Sequence, residues 1–230
     1  MHPNQNGHGI VLSPGQLALL RRVPLFAGLS AVERAAALSL LEAGIHRYGR
    51  GEYLHRMGEP LNHFGLVLSG NVQVFTDDFE GNRMMMVNVL PGETFGESLC
   101  YLEKPAAPVN ILSPTESDVM WLRLAGIRAP GADPFAFSLF SRFTAMLAAR
   151  ALDMNERIQI LSKMSLREKL CTFLSEWEKR SGKKTFTVPF DRATLAAYLA
   201  VNRTALSREL SAMQKEGLIE FYRSSFKILR

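Results

Sequence analysis

The chain is predicted to be an α+β protein in three parts: a β-rich N-terminal half, one long helix, and a basic helical third that closes in a hairpin. Three observations carry this prediction. Short β-like runs divided by turn residues fill Ile45 to Arg123, and an apolar seven-residue repeat follows from Asp133 to Ser162. Positive charge is confined to the end of the chain. Of 27 Lys+Arg and 22 Asp+Glu, residues 1–162 hold 13 and 15, and residues 163–230 hold 14 and 7. The overall +5 therefore comes from the last third, the pattern of a surface that approaches phosphates.

Composition bounds the rest. At 230 residues, 47% hydrophobic and 21% charged, the chain has the make-up of a globular protein with room for two cores. It has no run of eighteen or more apolar residues, so no membrane span is expected. The opening MHPNQNGHGIVLSPGQ lacks the basic and apolar regions of a signal peptide. Cys100 and Cys171 offer neither a disulfide framework nor zinc-ligand spacing, and a reducing cytoplasm is the expected location.

The elements follow in order. Ser30 and Glu33 form a capping box ahead of a helix over Ala31 to Glu42. Strands are expected at Ile45–Tyr48, Phe64–Leu68, Val72–Phe75, Met84–Leu90 and Val119–Leu122. Turns separate them at Gly49-Arg50-Gly51, Ser69-Gly70-Asn71, Asp77 to Asn82, Pro91-Gly92 and Ser113-Pro114. Such close spacing indicates a sandwich or a jelly-roll barrel.

In the long helix Phe140, Leu147, Met154 and Leu161 recur every seven residues, with Phe143, Thr144, Ala151 and Ile158 beside them. This stripe is expected to seal two copies of the chain into a dimer, although Arg150 and Arg157 interrupt the seam. The alternative is that the stripe packs on its own barrel. The domain boundaries expected are 1–132 for the barrel, 133–162 for the dimer helix and 163–230 for the C-terminal domain, with a hinge at Lys163–Ser165.

A second capping box, Ser165 and Glu168, starts a helix over Leu166 to Arg180, and a short strand over Thr185–Val188 ends at Pro189. Asp191 is a good N-cap for a short helix with Leu195, Ala196 and Leu199 inward. A tight connection at Ala200–Asn202 leads to a second helix over Arg203 to Glu216. Its inward face is Ala205/Leu206, Leu210 and Met213; its outward face offers Arg203, Thr204, Ser207 and Arg208. Two helices joined so closely, the second presenting cationic and polar residues, describe a helix-turn-helix, which reads base edges in the major groove. Gly217 ends the second helix. Ile219–Tyr222 and Phe226–Leu229 then form a hairpin around Arg223-Ser224-Ser225, the wing. Arg192, Arg223 and Lys227 are further candidates for contact with duplex DNA, whose phosphates are held mainly by cations.

Taken together, PLFAGLS (Pro24–Ser30), GEYLHRMGEP (Gly51–Pro60), VLSGNVQVF (Val67–Phe75), LPGETFGE (Leu90–Glu97) and LAAYLAVNRTALSREL followed by EGLI resemble the Crp/Fnr superfamily of bacterial regulators. The likeness covers nearly the whole chain. It implies a double-stranded β-helix sensor, a dimer helix and a winged helix-turn-helix that reads a palindromic operator, with RNA polymerase as a further partner. Arg203, Ser207 and Arg208 match positions that such regulators use against bases or nearby phosphates. Thr204 stands where many members carry a glutamate that accepts from cytosine, so a different operator is expected.

In cyclic-nucleotide-binding members the stretch after FGE holds the ribose with a Glu and the cyclic phosphate with an Arg and a neighbouring Ser or Thr. This chain keeps Phe95-Gly96-Glu97 and continues with Ser98 and Lys104, but Ala106, Ala107 and Pro108 stand where the Arg–Ser pair is expected. An ammonium lacks the planar fork of an Arg, so a member not responsive to cAMP is expected. Phe95, Gly96, Glu97, Ser98 and Lys104 are the candidate effector residues. Two cysteines cannot supply the four thiolates of an iron–sulfur cluster. Cys100 is read as a small hydrophobe, with a redox switch as the alternative. The five histidines His2, His8, His46, His55 and His63 form no ligand cluster, so no metal site is expected and the cofactor is left unknown, with haem among the options. Met84-Met85-Met86 reads as strand packing. The expected protein is a regulator and not an enzyme, controlled by a small molecule, by haem or a gas, or by a redox signal. A cyclic-nucleotide-responsive regulator is the alternative, and a cupin-like metalloenzyme is a further one.

Overall fold

Ser13 and Ser30 start the first two helices in the same way. Each hydroxyl accepts from the backbone N–H three residues on, at Gln16 and Glu33, whose side chains accept from the capping N–H in return. These bonds satisfy donors that a helix start leaves free, and they set α1 (Pro14–Leu20) and α2 (Ala31–Leu40). The computed structural model describes residues 12–77, 83–129, 131, 133–188 and 190–229; His2, His8, Pro189 and turn residues 78–82 lie outside them.

Eight strands follow: β1 (Gly44–Tyr48), β2 (Glu52–His55), β3 (Phe64–Ser69), β4 (Val72–Asp77), β5 (Arg83–Val89), β6 (Thr94–Phe95), β7 (Asn110–Ser113) and β8 (Ser117–Leu122). A short helix α3 (Glu97–Leu102) lies between β6 and β7, and α4 (Ala125–Arg128) follows β8. The strands pair antiparallel in two sheets, ordered β1-β8-β3-β6 and β2-β7-β4-β5. The chain winds in to the β4–β5 hairpin and back out, so that β8 lies between β1 and β3 while β7 lies between β2 and β4. That is the jelly roll, the double-stranded β-helix. The strand expected at Ile45–Tyr48 is β1, and the other four expected runs are β3, β4, β5 and β8. β2, β6 and β7, of two to four residues, are too short to show a period in the sequence.

β3 explains how the barrel is covered. Its run Phe64-Gly65-Leu66-Val67-Leu68 is buried throughout because it has a neighbour on each face. Phe64, Leu66 and Leu68 join Met120 and Leu122 of β8 in a layer with Leu20, Ala37 and Ile127 of the helices. Val67 joins Val119, Trp121, Val72 and Ile111 inside the barrel. A strand covered on both sides shows a continuous apolar run and not an alternation. Gly65 is required at its place, since a Cβ there would lie 2.1 Å from the Phe95 ring.

Helix α5 (Pro134–Leu161) crosses the division between two compact units, Met1–Ala148 and Ala149–Arg230. In the first unit Ala136, Leu139, Phe143 and Met146 complete the layer against the barrel, and Phe140 and Leu147 pack partly on it. This corrects the expected dimer seam. Phe143 is fully buried and unable to face a partner, and Phe140 and Leu147 are half-buried. A repeat of seven identifies a stripe but not the surface that covers it, and here the barrel covers half of it. The exposed large apolar residues of α5 are Phe137, Leu152, Met154 and Ile158, while Leu161 is half-buried. By length and composition α5 is also the one helix among the described residues long and apolar enough to cross a membrane. Arg142, Arg150, Asp153, Glu156 and Arg157 interrupt it, and Ala136, Leu139, Phe143 and Met146 are buried in the layer against the barrel.

The second unit continues with α6 (Leu166–Ser181), capped by Ser165 and Glu168 and ended by Gly182 at φ 63°. β9 (Thr185–Thr187), α7 (Arg192–Tyr198), α8 (Arg203–Lys215), β10 (Ile219–Tyr222) and β11 (Ser225–Ile228) complete it. Its core brings Leu170, Phe173 and Leu174 of α6 against Leu195, Leu206 and Leu210 of the two following helices. The hairpin β10–β11 gains a third strand, β9, on the far side of β11, a pairing that periodicity did not reveal.

Candidate DNA interface and effector barrel

α7 and α8 are set by their caps. The Asp191 carboxylate accepts from the Thr194 N–H at 2.7 Å, which holds its pKa below the ordinary aspartate value. The chain then turns at Ala200, held at φ 52°, with the Val201 N–H bonded to the Ala196 carbonyl at 2.9 Å. Asn202 caps α8 by accepting from the Thr204 N–H at 2.7 Å. Leu206, Leu210 and Met213 anchor α8 in the core, leaving Arg203, Thr204, Ser207, Arg208 and Ser211 exposed on consecutive turns of the opposite face. Ala205, expected inward, is exposed with them, because one step from Leu206 already rotates a side chain by about 100°. The exposed face carries two guanidiniums and two short hydroxyl side chains on its first turns, the donor set that duplex recognition uses.

The remaining cations of this unit differ in their freedom. Arg223 is exposed at the wing turn, at φ 53°, with its guanidinium 5.4 Å from the Tyr222 ring. Lys227 is half-buried and paired with Glu220 at 3.0 Å. Arg192 is half-buried, its guanidinium 4.8 Å from the Phe221 ring and 5.6 Å from Phe226, and burial pulls its pKa down. Arg192 thus joins the start of α7 to the wing. A residue absent from the expected set does comparable work for α8. Arg167, on α6, bonds Glu209 at 2.6 Å and both oxygens of Glu216 at 2.7 and 2.8 Å. Pairs 42 and 49 residues apart leave no local signal in the sequence.

In the first unit the expected effector residues diverge. Phe95 packs its ring edge-on to Trp121 at 5.4 Å, inside the barrel. Gly96 takes the left-handed conformation, φ 80°, that starts α3. Glu97 is buried and accepts from the Thr94 hydroxyl. Ser98 and Lys104 are exposed, outside the barrel interior that holds Phe95. Ala107, at the place of the missing Arg–Ser pair, is buried and exchanges two backbone bonds of 2.9 Å with Gly58 and Glu59. The barrel interior is completed by a Trp121 indole N–H that donates to the Tyr48 hydroxyl at 2.9 Å. His55 is buried on β2 with Nε2 unbonded, and burial lowers its pKa. Cys100 is buried, its thiol 3.2 Å from the Asn62 carbonyl and pushed up to about 11 by burial, the state of an unreactive thiol. A polar cavity of about 360 Å³ opens beside it, between Asn62, Arg123 and Arg128.

Residues 45–129 match the family model of the cyclic nucleotide-binding domain, and residues 168–230 match that of the Crp-like helix-turn-helix domain. The chain belongs to the Crp/Fnr superfamily. Two curated relatives are similar over most of its length. The electron transport regulator A of Shewanella oneidensis is 23% identical over 189 residues, covering 74% of this chain and 69% of that protein. The cyclic AMP receptor protein of Thermus thermophilus is 26% identical over 200 residues, covering 85% and 88%. Among solved structures, the c-di-GMP-responsive global regulator CLP of Xanthomonas campestris aligns with a TM-score of 0.56 over 85% of this chain and 99% of that one. At 18% identity that likeness speaks for the fold alone. This Crp/Fnr protein is accordingly a DNA-binding transcription regulator with a cyclic-nucleotide-binding-like domain.

Proposed function

We propose that this regulator acts as a cytoplasmic homodimer and reads a palindromic operator with Arg203, Thr204, Ser207 and Arg208. The observation that carries the reading is the division of α8 into a buried face of Leu206, Leu210 and Met213 and an exposed cationic one. Arg203 and Arg208 suit bidentate bonds to guanine, and Arg223 and Lys227 suit phosphates. Two copies paired along the exposed residues of α5 present two such helices to half-sites about 34 Å apart. A signal in the barrel shifts α5, and the shift repositions the winged helix about Lys163–Ser165. RNA polymerase is the partner through which bound dimers act on transcription.

The signal is a small molecule, haem or a gas, or a redox change, and not cAMP. No arginine lies between Glu97 and Ala107, and Ala107 already uses its backbone groups within the fold. A buried cyclic phosphate there would meet no guanidinium to compensate its charge. The raised pKa of Cys100 speaks against that thiol as the redox element.

Selection of genomic DNA fragments by the purified protein, run beside Arg208→Ala, tests the reading. Enrichment of one palindrome by the wild type, lost in the variant, is the expected result. If Arg208→Ala enriched the same sequence equally well, α8 would not be the reading element.

A further inference from the structure

The second unit holds an aromatic cleft for which DNA reading has no use. Four rings wall it: Phe173 and Trp177 from α6, Phe190 from the segment before α7, and Tyr198 from the end of α7. Phe190 lies 5.0 Å from Tyr198, 5.8 Å from Phe173 and 6.2 Å from Trp177 between centroids. Only Phe173 is fully buried; the other three keep part of their surface open. The cleft encloses about 350 Å³, within the range of small-molecule sites. Carboxylates of Asp153, Glu156 and Glu176 stand at its rim.

The cations already in the cleft report what it favours. The Arg157 guanidinium sits 5.2 Å from the Tyr198 ring centre and bonds the Tyr198 carbonyl at 3.3 Å. The Arg180 guanidinium sits 5.8 Å from the Trp177 ring while pairing with Asp153 at 3.2 Å and with Glu156. Planar cations over ring faces, balanced by carboxylates, are the chemistry by which proteins hold amidinium and guanidinium groups. The side chains are arginines on a surface open to solvent, so a ligand of the same kind competes for the same rings and carboxylates.

We propose that this cleft is a binding site for a small planar organic cation, an aromatic amidine, guanidine or amine, separate from the effector barrel. Its ring stacks among Trp177, Phe190 and Tyr198, and its charged head takes the place of Arg180 at Asp153 and Glu156. Arg180 joins α6 to the last turns of α5, so occupancy releases that tie and acts on the DNA-reading unit directly. The proposal stands on this cleft alone and does not depend on which signal the barrel takes.

Benzamidine is the probe, and benzamide, its neutral isostere, is the control. The 230-residue chain contains two tryptophans, so labelling them with ¹⁵N yields two indole signals, of which Trp177→Phe identifies one. Benzamidine is expected to shift the Trp177 signal saturably and to leave Trp121 in place. Benzamide is expected to bind at least about tenfold more weakly. Asp153→Asn with Glu156→Gln, both at partly exposed positions, should weaken benzamidine while leaving the Trp121 signal unchanged. An unmoved Trp177 signal, or equal binding of benzamide, overturns the proposal.

Discussion

Arg167 and Glu216 meet through two parallel N–H···O bonds of 2.7 and 2.8 Å, and the same guanidinium also bonds Glu209. One side chain at the start of α6 therefore fixes both the middle and the end of the recognition helix. The pairing drives the Glu216 carboxyl below the usual glutamate range. Arg167→Ala should reduce affinity for the selected operator by a few-fold to about tenfold, with a smaller effect on non-specific DNA. Arg167→Lys should fall between, since an ammonium lacks the planar fork that makes two parallel hydrogen bonds to Glu216. Binding titrations against operator and scrambled duplex measure the difference. Equal losses on both would mean that Arg167 contributes only charge.

The two kinds of apolar residue on α5 should separate in solution. Ile158 is 57% exposed, so Ile158→Glu should leave the fold intact and shift the protein from dimer to monomer in sedimentation. Phe143→Ala removes a ring that lies 5.5 Å from Phe64 in the barrel layer. It should cost about 3–5 kcal/mol of stability and alter dimerisation little at temperatures where the protein remains folded.

His55 should make the first unit sensitive to mild acid. Burial holds its pKa below the ordinary 6.5, against a smaller opposing effect of Glu59. The folded state then binds fewer protons than the unfolded one, so the full stability is present above 6.5 and falls as pH drops through the depressed value. Denaturant titrations between pH 8 and 5 should show this decline, with a slope below the ~1.4 kcal/mol per pH unit that one proton allows. A His55→Gln variant should decline less steeply; an identical decline would assign the effect to other groups.

Gly65 and Gly44 offer a test of barrel packing. A Cβ at Gly65 would meet the Phe95 ring at 2.1 Å, whereas one at Gly44 would meet nothing within 4 Å. Gly65→Ala should destabilise the protein by about 1–3 kcal/mol, and Gly44→Ala should change little. Chemical denaturation of the two variants provides the comparison.

Much of the DNA-reading element was legible because its signals are local. The Asp191 cap, the 3.6-residue placement of Leu206, Leu210 and Met213, and the glycine after α8 all act within a few residues. The two capping boxes at Ser30 and Ser165 appear at the residues expected, for the same reason. Ser13 and Gln16 form a third box, at a Ser-x-x-Gln pattern outside the expected elements. β2, β6 and β7 stayed hidden because strands this short show no period, and because their partners are distant in the chain.

By itself the sequence determined the succession of β-rich half, long helix and helix-turn-helix with its wing, the basic last third, the anchoring residues Leu206, Leu210 and Met213 of α8, and through its motifs the superfamily. These depend on composition, capping and periodicity, which a chain carries before it folds. Only the tertiary structure decided which surface covers each apolar stripe. It turned Phe143 into the barrel, put Ser98 and Lys104 in solvent, brought Arg167 to Glu216 across 49 residues, and gathered four rings around one cleft. Burial and charge pairing at such distances are set by packing, where a residue's neighbours in space are not its neighbours in the chain.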